Sequence, residues 1–106
     1  MATYHAKHGF HVGGLVALAF ARSERYLLVV THSGRGVFDL DTGERIARDS
    51  AVLYPEHGAI VGIGPLSGEL VPVASYDFEN DLTLSSESGR YRVVAYSSFI
   101  AVEEAT

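Results

Sequence analysis

From Gly14 to Asp49 the chain alternates four apolar runs with three short polar breaks, and this spacing constrains the fold more than any other feature. The runs cover 15–21, 26–31, 37–40 and 45–48. Apolar runs of this length, set apart by breaks this short, read as an antiparallel β-meander. The breaks are Arg22-Ser23-Glu24-Arg25, Ser33-Gly34-Arg35-Gly36 and Asp41-Thr42-Gly43-Glu44. Each supplies the Gly, Ser, Thr or Asp that a tight hairpin needs. Asp41-Thr42-Gly43 suits a type I turn, with Gly43 in the left-handed conformation that a side chain would penalise. The first run is apolar on both faces, with Val16, Leu18 and Phe20 on one and Leu15, Ala17 and Ala19 on the other. A strand of that kind lies inside a protein, so Phe20 and Leu28 are expected in the core. Polarity then rises through Asp39 and Asp41 to Arg45 and Arg48 around Ile46. The gradient predicts an innermost first strand and a last strand that is a charged edge.

The segments Leu18-Ala19-Phe20-Ala21, Arg25-Tyr26-Leu27-Leu28-Val29-Val30-Thr31 and Val37-Phe38-Asp39-Leu40-Asp41-Thr42-Gly43-Glu44 together resemble one blade of a WD-repeat β-propeller. Phe38-Asp39 stands where that family has Trp-Asp, and a glycine-bearing turn follows. The resemblance implies a four-stranded blade over about a third of the chain, 14–49, with His11 as a structural hydrogen-bonding residue before the first strand. The chain has no tryptophan, and His32-Ser33 replaces the family's acidic turn residue. The family's hydrogen-bonded network is therefore not carried over.

A second β-rich stretch covers 59–103, with strands expected at 59–64, 70–76, 82–85, 90–96 and 99–103. An irregular connection at 50–57 precedes it. Pro72 cannot donate to a ladder and predicts an edge position. Ser23-Glu24-Arg25-Tyr26-Leu27 is echoed by Ser88-Gly89-Arg90-Tyr91-Arg92, and Thr42-Gly43-Glu44-Arg45-Ile46 by Ser67-Gly68-Glu69-Leu70-Val71. Hairpins recur about every 22 residues, and two hairpins match the length of a blade. The expected architecture is a single all-β domain, 1–106, an antiparallel meander of two propeller-blade-like units at 14–49 and 59–103. A small β-sandwich or a barrel is the alternative. Two units do not close a propeller ring, so a homo-oligomer is expected as well.

One domain is what 106 residues accommodate. Without cysteine there is no disulfide, thiolate nucleophile or cysteine-based zinc site. Neither a signal peptide nor a membrane-length apolar run is visible, which predicts a cytoplasmic protein. Net charge is −5 and no Lys/Arg cluster exists, so no nucleic-acid or membrane partner is expected; a basic protein partner is. His5, His8 and His11 invite a metal reading, but a strand would send His8 away from the other two and no carboxylate lies nearby, so no metal site is expected. Gly34-Arg35-Gly36 has the composition of an anion cradle, yet hairpin geometry accounts for its glycines. No spacing pairs a nucleophile with a base, so neither catalysis nor a cofactor is expected. In an extended chain Asp77, Glu79 and Asp81 share one face, with Phe78 on the other. That acidic face, with Tyr76 as an aromatic anchor, is the expected partner-binding site. The expected function is a non-enzymatic protein–protein interaction domain. The alternatives are a small acidic bacterial immunity protein that neutralises a toxin, and a small-molecule enzyme or ligand-binding β domain.

Overall fold

In the computed structural model, which describes residues 3–50, 58–77, 79 and 81–106, each apolar run of the opening meander is a strand. They are β2 (Leu15–Phe20), β3 (Tyr26–Thr31), β4 (Gly34–Asp39) and β5 (Arg45–Asp49), preceded by β1 (Tyr4–His11). The second stretch forms β6 (Ala59–Val61), β7 (Leu70–Pro72), β8 (Ala74–Ser75), β9 (Leu82–Ser85), β10 (Tyr91–Ala95) and β11 (Phe99–Ala105). A short 3-10 turn at Gly64–Leu66 is the only helical element among the described residues. The chain is all-β and its strand ladders are antiparallel.

Sheet order explains why the first strands are apolar on both sides. One sheet runs β5-β4-β3-β2-β8, a second runs β1-β11-β10-β9, and β6 pairs with β7 alone. One face of the five-stranded sheet meets the four-stranded sheet through Leu18, Leu27, Val29, Phe38, Tyr91, Val93, Ile100 and Val102. The opposite face packs Ala17, Ala19, Leu28, Val30 and Val37 under Ile60, Leu66 and Val71 of the β6–β7 hairpin and its 3-10 turn. β2 and β3 therefore feed two cores at once, and the small alanines of β2 let the hairpin lie close. The result is a sandwich-like pair of sheets with a hairpin cap, and no sheet among the described residues closes into a barrel.

The last strand of the meander is the charged edge that its polarity gradient predicts, β5 being terminal and carrying Arg45, Arg48 and Asp49. The first strand is not innermost: β3 is central, and β2 is covered on its far side only by the two residues of β8. Gly43 adopts φ +79°, the left-handed turn conformation. Leu28 is fully buried, but Phe20 is only half-buried, because the sheet facing it ends at β9 and leaves one side of its ring open.

The 59–103 stretch does not assemble as one sheet. Its strands are divided among all three, since β6 and β7 stand apart, β8 joins the first meander and β9 to β11 join β1. The strand expected over 70–76 breaks at the proline. Pro72 ends β7, which pairs with β6, and Ala74 begins β8, which pairs with β2. A residue with no N–H is tolerated where the chain changes partners. The connection expected at 50–57 lies, apart from Ser50, outside the described residues.

The two sequence echoes have different structural content. The β2–β3 and β9–β10 turns match bond for bond: Glu24 N–H donates to Ala21 O at 2.9 Å, and Gly89 N–H to Ser86 O at 2.9 Å. The Arg25 and Arg90 amides donate to Ser23 Oγ and Ser88 Oγ. Glu24 and Gly89 both take positive φ, +59° and +80°. The turns also touch, because Glu24 Oε1 accepts from Ser88 N–H at 3.2 Å and Ser88 Oγ at 2.7 Å. The other echo places a left-handed glycine in each of two hairpin connections: Gly43 closes the short β4–β5 turn, whereas Gly68 follows the 3-10 turn in the longer β6–β7 connection.

Candidate functional site

Breaking the strand at Pro72 has a consequence for β2. Its ladder with β8 consists of Ala17↔Ser75 and Leu18↔Ala74 and then stops, so among the described residues the last of β2 have no strand partner on that side. β9 ends the facing sheet, and no strand among the described residues pairs with its outer edge. Between these edges lies a cleft of about 710 Å³. Phe20 and Leu84 line it from the two sheets, while Val71, Pro72 and Val73 close it from the hairpin side. Leu70 stands at its border with 68% of its surface exposed. Arg22, Glu69 and Glu87 make a charged rim with an acidic excess. An apolar interior, unpaired strand edges and a charged border together suit an extended peptide segment.

No motif in the sequence marks this cleft. Its one visible signal was Pro72, since a strand broken at a proline leaves the neighbouring edge uncovered.

The residues expected to bind a partner lie at the other end of β8. Tyr76 N–H donates to Val16 O at 2.8 Å, and its half-buried side chain packs against the first core. The Glu79 amide donates to Asp77 Oδ1 at 3.0 Å, which makes a turn in place of an extended run. The period-two alternation of Asp77, Glu79 and Asp81 therefore does not apply, although all three are exposed. Phe78 and Asn80 lie outside the described residues. None of the four expected site residues borders the cleft.

The N-terminal histidines are re-sorted by a β-bulge. Register against β11 jumps between Ala6 and His8, so that His5 faces Glu104, His8 faces Val102 and Phe10 faces Ile100. Ile100 and Val102 are core residues, and these three share their face. His8 thus joins the face of His5, where an unbulged strand would have opposed them. His8 Nε2 lies 2.8 Å from Leu40 O, a structural hydrogen bond between the sheets. His11 packs its ring on Phe99 at 4.9 Å. Among the described residues no three His, Asp or Glu side chains gather as a metal-holding group.

Several other charged side chains are held in ion pairs. Burial opposes the charge on Asp39, but the Asp41 amide, Arg25 Nη2 at 3.2 Å and the Thr42 amide outweigh it and lower its pKa. This is the aspartate of Phe38-Asp39, and it secures the β4–β5 turn. Glu104 is likewise held below its ordinary value of 4.5, chiefly by Lys7 Nζ at 3.0 Å and also by Arg90 Nε at 3.1 Å, against the cost of burial. A carboxylate with a lowered folded pKa adds stability that is complete above its unfolded value and is lost as the pH falls through the folded one. Melting temperature is therefore expected to fall as the pH drops below about 4.5. Glu104→Gln should melt lower than the parent at neutral pH and lose less on acidification. Equal acid sensitivity in the two proteins would remove Glu104 from this account.

No helix among the described residues is long and apolar enough to cross a membrane. In comparisons with known proteins, the chain has no significant match to a family model, a curated protein or a solved structure.

Proposed function

We propose that the protein is a non-enzymatic interaction domain that binds an extended segment of a protein partner in the cleft between β2 and β9. The observation that carries this reading is an apolar cleft bordered by strand edges with open hydrogen-bonding groups. A strand laid there would pair its backbone with an edge and send alternate side chains toward Phe20 and Leu84. Glu69 and Glu87 on the rim, in a chain of net charge −5, favour a segment flanked by Lys or Arg. The exposed carboxylates of Asp77, Glu79 and Asp81 add to the negative field that draws a basic partner in, which gives them a steering role. The blade resemblance is in keeping with an interaction module.

Selection from a displayed peptide library is the test. Expected ligands alternate apolar residues and carry basic flanks. Their affinity should fall about tenfold or more when an N-methyl group replaces one pairing N–H, or when Leu84→Asp places charge in the cleft. Ligands that bind Leu84→Asp and the parent equally well would place recognition elsewhere. Light scattering covers a second copy as occupant: a dimer that Leu84→Asp dissolves would assign the cleft to self-association instead.

A further inference from the structure

A second concavity, of about 540 Å³, lies at the far side of the five-stranded sheet. It is independent of the peptide cleft. Half-buried Val12 and the 8% exposed Phe38 give it an apolar side, with Val29 fully buried beneath, and Arg45, Arg48 and His11 stand around it. In a regular strand, residues three apart point to opposite faces. In β5 the register jumps, so that Arg45 pairs with Phe38 while Arg48 pairs with Gly36. Gly36 and Phe38 are two apart on β4 and share a face, and therefore both arginines do. Gly36 contributes by having no side chain: a Cβ there would lie 3.2 Å from Arg45 Cδ.

Most other cations are already engaged. Lys7, Arg25, Arg35, Arg90 and Arg92 all make ion pairs. Arg35, at the centre of Gly34-Arg35-Gly36, borders the groove but is held by Asp49, with Nη2–Oδ2 at 2.7 Å, and by the Val61 carbonyl. Arg45 and Arg48 have no carboxylate partner among the described residues. Two exposed guanidiniums on one face repel each other unless an anion lies between them, and planar guanidinium forks match carboxylate and phosphate oxygens.

We propose that this groove is a binding site for a small organic oxyanion, a carboxylate or phosphate group carried on an aromatic or apolar body. Arg45 and Arg48 hold the oxygens, and the body rests against Val12 and Phe38. A small ligand suits the chain better than a polyanion, whose remaining charge would meet an acidic protein of net −5.

The test is an NMR titration of the ¹⁵N-labelled full chain with phenyl phosphate, benzoate, inorganic phosphate and acetate. The Gly36, Arg45 and Arg48 amides should shift. The ring-bearing anions should bind about fivefold or more tighter than the bare ones, and the tighter of the two identifies the head group. Arg45→Gln and Arg48→Gln should each weaken binding about tenfold or more, with melting temperature unchanged because neither side chain has a carboxylate partner among the described residues to lose. Arg22→Gln, which removes another exposed cation at the peptide cleft, should leave binding as it was. The proposal is overturned by absent shifts at the groove, by equal affinity for bare and ring-bearing anions, or by an Arg22→Gln effect as large as that of Arg45→Gln.

Discussion

Tyr91→Ala is expected to destabilise the protein by about 3–5 kcal/mol, a large share of the 5–15 kcal/mol typical of a folded domain. Tyr91 is the largest fully buried side chain among the described residues and sits in the core between the two sheets. Its ring is stacked near Phe20, with centroids 6.5 Å apart. It is also flanked by cations, with Lys7 Nζ 5.4 Å and the Arg90 guanidinium carbon 4.9 Å from its centroid. Truncation leaves a cavity that strands on both sides cannot fill, and it takes away the surface on which those cations rest. The hydroxyl matters far less, because its bond to Asp41 Oδ1 is long, at 3.4 Å. Tyr91→Phe should therefore cost under about 1 kcal/mol. Burial also pushes the phenol pKa up, assisted by the charge of Glu104, so the ring stays neutral across the ordinary pH range. Urea denaturation followed by circular dichroism measures both variants. A Tyr91→Ala protein with the parent's midpoint would mean that the sheets do not pack through this residue.

Gly34→Ala is the second large effect, and its cause is geometric. Gly34 opens β4 at φ +144°, and a Cβ there would lie 2.2 Å from the Asp49 carbonyl oxygen and 3.0 Å from Ser50 Cα. Those neighbours are backbone and cannot rotate away as a side chain would. Relief requires opening the β4–β5 ladder where Arg35 pairs with Asp49, which also disturbs their ion pair. The expected cost is about 3 kcal/mol or more, combining backbone strain with the clash. Ser33→Ala, one residue earlier and exposed, should stay within about 0.5 kcal/mol of the parent. Comparable melting of Gly34→Ala and Ser33→Ala would contradict the close approach of β5.

Local pattern accounts for most of the first meander. Four apolar runs separated by turn residues became four consecutive strands, because each hairpin closes only a few residues of chain and its turn chemistry lies within the break. The charged edge at β5 and the left-handed Gly43 are legible for the same reason. Phe20 marks the limit of such reading: its side chain is as apolar as its neighbours, but how far the facing sheet extends over it is not encoded in its own strand.

The candidate sites were less legible. Tyr76, Asp77, Glu79 and Asp81 looked like one face only while the chain was taken as extended, and a single hydrogen bond from the Glu79 amide to Asp77 removes that premise. The cleft and the groove are made by absences: a ladder that stops at Leu18, and a glycine where a side chain would stand. Neither is a motif.

By itself the sequence determined an all-β chain, the hairpins of the first meander and a core fed by β2 and β3, since turn chemistry and period-two apolarity act over a few residues. Tertiary structure decided the rest. Only long-range pairing brings β1 against β11 and shifts the register in three ladders, which moves His8 beside His5 and Arg45 beside Arg48. It also exchanges the faces expected of Leu15 and Val16, so that Leu15 packs with Leu18 and Val16 with Ala17 and Ala19. A side chain's face depends on register, and register is set by strands distant in the chain. The same dependence leaves Arg45 and Arg48 without a carboxylate among the described residues, while Arg35, one strand away, has one.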